Sequence, residues 1–60
     1  MKPLHIERNC TELDASMTDG NLLIIITEYA EGLEQAAIVL NKDECIRLRA
    51  WLQSAEIYFH

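Results

Sequence analysis

The stretch "NLLIIITEYA", residues 21–30, decides the fold. Large aliphatics run without a break from Leu22 to Ile26. A strand sends alternate side chains to opposite faces, so a strand made from this run is apolar on both. A sheet built around it needs cover on each side, and the chain has only 60 residues to supply it.

Upstream, "TELDASM" (11–17) alternates cleanly, with Leu13, Ala15 and Met17 on one face and Glu12, Asp14 and Ser16 on the other. This is the period of a half-buried strand. Asp19-Gly20 follows, a dipeptide suited to a two-residue type I′ hairpin, whose central residues both need positive φ. That turn pairs Met17 with Leu22, Ala15 with Ile24 and Leu13 with Ile26, so the apolar sets coincide on one face. Leu23, Ile25 and Thr27 then stand on the other face beside Ser16, Asp14 and Glu12.

Downstream, "YAEGLE" turns the chain into "LEQAAIVLN". A two-residue loop places Ala37 and Val39 opposite Ile24 and Ile26. A three-residue loop with a bulge at Gly32 places Ala36, Ile38 and Leu40 there instead. Asn41 is a good N-cap, and Glu44 three residues on completes a capping-box pattern. In the helix that follows, Cys45, Leu48, Trp51, Leu52 and Ala55 form one stripe. The stripe is expected to lie across the inner face of the hairpins, with Arg47 and Arg49 flanking it and reaching sheet carboxylates. At the N-terminus "PLHIERN" alternates over a few residues. It is a candidate extra strand that either precedes a bulge near Asn9-Cys10 or pairs with another chain.

The reading is a single small α+β domain over residues 1–60: a three-stranded antiparallel meander, with a candidate N-terminal strand, followed by one C-terminal helix. One helix covers one face. Leu23, Ile25, Tyr29 and either Ala37 and Val39 or Ala36 and Ile38 then remain on the other, and burying four such side chains is worth several kcal/mol at about 25 cal/mol per Å2. That rivals the whole stability of so small a domain. A second copy of the chain is the expected cover, sheet against sheet or with helices exchanged, giving a homo-oligomer with a dimer as its expected form. Tyr58 and Phe59 either close the core or join that contact.

Length and composition point the same way. A chain this short buries only about 60% of its unfolded surface and needs a disulfide, a metal or an oligomer to support it. Cys10 and Cys45 make no disulfide framework, and no secretory h-region is present at the start. The expectation is a cytoplasmic protein with reduced thiols and no membrane contact.

Little in the sequence supports catalysis. His5, Cys10 and Cys45 lack zinc-ligand spacing, and no oxyanion hole or phosphate loop is marked. No enzyme activity, cofactor or metal is therefore expected. Ten acids against five bases make the chain acidic, and the acids concentrate before Asn41. Such a surface repels a nucleic-acid backbone and attracts a basic protein. Glu12, Asp14, Glu28, Glu31 and Glu34 are the candidate partner-binding residues. An alternative is a nucleotide or anionic metabolite gripped by Arg47 and Arg49 beside Trp51, in a pocket at the subunit interface that also takes in Tyr58.

The segment "LDASMTDGNLLIIITEYAEGLEQAAIVLNKDECIRLRAWL" resembles small uncharacterised proteins encoded by phages and prophages. They share an alternating strand, a D-G turn, a hydrophobic strand, a third strand ending in V-L, a polar cap and a helix ending in W-L. The resemblance implies a short accessory protein of the bacterial cytoplasm that binds and modulates a host protein. It carries over no catalytic residue.

Overall fold

The computed structural model describes residues 1–59. Four strands, β1 (Leu4–Arg8), β2 (Thr11–Thr18), β3 (Asn21–Glu28) and β4 (Glu34–Leu40), form one antiparallel sheet in sequence order. Helix α1 (Lys42–Ala55) follows, and a single 3-10 turn over Glu56–Tyr58 ends the described chain. The meander plus one helix is the α+β architecture expected, with the N-terminal segment settled as a fourth strand.

The β2–β3 hairpin turns at Asp19-Gly20, with φ of 51° and 77°. Both values are positive, as a type I′ turn requires. Its register pairs Met17 with Leu22, Ala15 with Ile24 and Leu13 with Ile26, as the apolar alternation demands. β1 pairs with β2 of its own chain, Leu4 opposite Ala15 and Ile6 opposite Leu13. The connecting turn uses Asn9 at φ 51°, a left-handed conformation that asparagine tolerates better than most residues. On the far side, Ile26 pairs with Ala36, Ile24 with Ile38 and Leu22 with Leu40. This is the register of the bulged alternative, reached through a longer loop over residues 29–33 in which Gly32 takes φ 112°.

These registers sort the side chains into two faces. The first, face A, carries Leu4, Ile6, Leu13, Ala15, Met17, Leu22, Ile24, Ile26, Ala36, Ile38 and Leu40. The second, face B, carries Leu23, Ile25, Ala37 and Val39, with His5, Glu7, Glu12 and Asp14 on the β1–β2 side. Helix α1 starts on the expected capping box. The Asn41 side chain accepts from the Glu44 backbone N–H at 2.9 Å, and the Asn41 N–H donates to the Glu44 carboxylate at 2.9 Å.

The helix does not cover face A. The stripe residues Leu48, Trp51 and Leu52 are exposed, and α1 meets its own sheet only around Leu22, Leu40 and Cys45, whose thiol lies 3.8 Å from the Leu40 carbonyl. The cause is the connection. Asn41 alone separates β4 from α1, whereas strand-to-helix loops that fold a helix back onto its sheet take about 2–6 residues. Leu4, Ile6, Met17, Ile26 and Ile38 stay between 46% and 55% exposed as a result. Among the described residues no hydrophobic side chain is buried, and the one buried residue is Thr27.

The chain exposes 5451 Å2. A folded monomer of 6.9 kDa exposes about 4,000 Å2, so roughly 1,450 Å2 is surplus. The radius of gyration, 13.3 Å, likewise exceeds the value of about 10 Å for a packed chain of this length.

Candidate functional site

Acidic residues gather at one end of the sheet, where the β1–β2 turn and the β3–β4 loop lie. Glu7 stands directly opposite Glu12, and Glu28 directly opposite Glu34. Glu31 is in the adjoining loop, and Asp14 stands one place further in on face B. The five acids singled out from the sequence therefore share one region, but on both faces: Glu12 and Asp14 on face B, Glu28 and Glu34 at the edge of face A. Like charges directly opposite each other destabilise a sheet. Two such pairs at one end are a local cost to the sheet.

On face B the acids are organised around His5. Its Nδ1 lies 2.6 Å from the Asp14 carboxylate across the β1–β2 pair, and its Nε2 lies 3.7 Å from Glu7. The hydrogen bond to Asp14 raises the imidazole pKa above its ordinary value. Desolvation opposes this, and the charge of Asp14, the nearby Glu7 carboxylate and the charge of Glu12 each add a smaller increase. Tyr29 closes the other side, its phenol donating to Glu12 at 2.9 Å. That bond raises the phenol pKa, with desolvation and the nearby carboxylates acting in the same direction. The Tyr29 backbone N–H donates to the Cys10 carbonyl at 2.8 Å and ties the two loops together. Beneath this end Thr27 is 3% exposed, and its hydroxyl accepts from the Gln35 amide at 3.2 Å.

His5, Glu7 and Glu12 each offer a ligand atom, and these lie within 4.8 Å of one another. A tetrahedral cation with bonds of about 2.1 Å draws its ligands to about 3.4 Å apart. Asp14 and Tyr29 already engage His5 and Glu12, so internal pairing accounts for the cluster. Sequence reasoning missed His5 and Glu7 because their neighbours depend on β1 pairing within its own chain. The signal was the alternation that puts His5 and Glu7 on the same face.

The remaining residues named from the sequence fall into separate places. Leu23 and Ile25 are half-buried in the middle of face B, beside Val39 at 55% exposure. Tyr29 belongs to the acidic end. Tyr58 and Phe59 lie at the opposite end, beyond the helix, and both are exposed. They do not join Leu23 and Ile25 within one chain. The assignment of the self-contact to Leu23, Ile25, Tyr29 and Val39 assumes that the helix covers face A, and the exposed stripe shows that it does not.

A shallow apolar groove of about 470 Å3 runs between β3 and the helix, lined by Leu22, Cys45, Leu48, Arg49, Leu52 and Phe59 among others. Arg49 borders it, whereas Arg47, Trp51 and Tyr58 do not. Among the described residues neither Arg47 nor Arg49 has a carboxylate within ion-pair distance. The expectation that they reach carboxylates of their own sheet is therefore corrected, again because the helix leads away from it. Cys10 is exposed in its turn and Cys45 half-buried, both as free thiols. No described helix is long and apolar enough to cross a membrane. His60, the second histidine, lies outside the described residues.

The chain matches no protein-family model, and no curated protein or solved structure is significantly similar to it.

Proposed function

We propose that this protein is a non-enzymatic subunit of a homo-oligomer, a dimer in its simplest form, that binds a basic protein surface through the acidic end of its sheet. The observation that carries the reading is the absence of a buried hydrophobic side chain among the described residues, together with 5451 Å2 of exposed surface. A chain whose described residues bury no hydrophobic side chain gains a core by association.

The two faces divide the work. Face A, broad and apolar, serves self-association. Face B combines an apolar centre (Leu23, Ile25, Ala37, Val39) with an acidic flank (Glu7, Glu12, Asp14), the apolar-core and polar-rim layout of a protein-binding surface. Glu28, Glu31 and Glu34 extend the negative field around the end of the sheet and steer a basic partner toward it. The resemblance to small phage-encoded proteins supports a host protein of the bacterial cytoplasm as that partner. The test is binding to a basic protein recovered by pull-down, measured against ionic strength. Affinity falls steeply with salt and falls again in Glu12→Gln/Asp14→Asn; affinity indifferent to both refutes the acidic surface as the binding site.

One observation favours a second reading. Arg49 borders the apolar groove beside the helix, where a second subunit would close a pocket for a nucleotide or other anionic metabolite. A thermal-shift series with nucleotides tests it: stabilisation abolished by Arg49→Gln supports the pocket, and no stabilisation sinks it.

A further inference from the structure

Helix α1 carries an apolar stripe without a sheet beneath it, and face A is an apolar sheet without a helix above it. We infer that each supplies the other across a two-fold axis: the helix of one copy lies over face A of the second, in a helix-exchanged dimer. The inference rests on the oligomer reading above and names the surfaces that meet.

Three features support this arrangement. The first is the connection. With Asn41 alone between β4 and α1, the helix is directed away from its own sheet, and short hinges of this kind favour exchange between copies. The second is area. The surplus of roughly 1,450 Å2 per chain amounts to about 2,900 Å2 for a pair, inside the range of about 2,000–5,000 Å2 spanned by obligate dimers. Both the exposed stripe (Leu48, Trp51, Leu52) and the exposed face (Leu4, Ile6, Ile26, Ile38) contribute to that surplus. The third is charge. Glu28 and Glu34 form a like-charged pair at the edge of face A. Arg47 and Arg49 flank the stripe without an ion-pair partner among the described residues. A helix from the other copy laid on face A with its arginines toward the acidic end meets these carboxylates with opposite charge.

A two-fold contact of this kind has a distinctive response to charge reversal. Take one variant with Glu28→Arg and Glu34→Arg, and a second with Arg47→Glu and Arg49→Glu. Alone, each places like charges against like charges in both contacts of its homodimer. Mixed, both contacts of the heterodimer regain opposite charges. Sedimentation velocity with one variant fluorescently labelled reads the result. We expect each variant to self-associate about tenfold or more weakly than the parent, and the mixture to recover most of the loss.

Isotope-filtered NMR on the unmutated chain provides a readout that does not depend on the variants folding. Mixed labelled and unlabelled copies are expected to give contacts between subunits from Trp51 and Leu48 to Ile26 and Ile38. Contacts of the same residues within one chain overturn the exchange. A dimeric parent whose contacts between copies join sheet residues only, with no recovery on mixing, overturns the exchange and leaves the oligomer reading standing. A parent that stays a folded monomer at all concentrations overturns both.

Discussion

Ile38 and Val39 are neighbours on β4, point to opposite faces and are each 55% exposed in the single chain. Replacing one or the other with alanine therefore asks which face the second copy covers. Fully burying an isoleucine is worth about 1.5–3 kcal/mol, and roughly half of that is still available at Ile38. Alanine forfeits most of the remainder, about 1 kcal/mol per site. The site occurs twice in a two-fold dimer, so Ile38→Ala weakens association by about 2 kcal/mol, or roughly 30-fold in Kd. Val39→Ala, on the acidic face, leaves Kd within about threefold of the parent. The assay is sedimentation equilibrium over a wide dilution range, with circular dichroism confirming that strand and helix content survive. A larger loss from Val39→Ala than from Ile38→Ala refutes the assignment of face A to self-association. It would restore the contact through Leu23, Ile25 and Val39.

The acidic end yields pH-dependent predictions. His5 has a raised pKa when folded, so its contribution to stability is full below the unfolded value of about 6.5 and is lost as pH rises through the folded value. An NMR titration of His5 shows a midpoint above that of a free imidazole, and Asp14→Asn brings it down; an unshifted midpoint removes Asp14 as its partner. Tyr29 also has a raised pKa, so its phenol stays neutral past pH 10, and its contribution is lost only as pH climbs through the folded value. Ultraviolet titration records this, and Glu12→Gln lowers the midpoint. Loss of the helix cap in Asn41→Ala costs about 1 kcal/mol, and Tm falls by about 4–8 °C at fixed protein concentration. An unchanged Tm would separate the cap from the stability of the assembly.

The β2–β3 hairpin was legible because two independent signals agreed there. Asp19-Gly20 favours a two-residue turn, and the apolar residues at 13, 15 and 17 match those at 22, 24 and 26 in only one register. At β4 the signals conflicted, since Ala36 to Leu40 is apolar at every position and accepts either face. The loop over residues 29–33 decided the matter through geometry that has no short motif. β1 rested on alternation over a few residues, and Asn9-Cys10 is a weaker hairpin signal than Asp-Gly. The grouping of His5, Glu7, Glu12 and Asp14 therefore became visible only with the pairing. Periodicity in Cys45, Leu48 and Leu52 shows that one side is apolar, but not whose sheet it meets. The path of the helix follows from the one-residue connection at Asn41, and that connection becomes definite only once the end of β4 and the start of α1 are known.

The most direct test of the central claim is the mass in solution across dilution, by light scattering joined to circular dichroism. A core completed by a second copy predicts a dimer at micromolar concentration, with folded structure and mass lost together as the protein is diluted. A monomeric mass at every concentration, with the sheet and helix signal intact and a Tm independent of concentration, would contradict it.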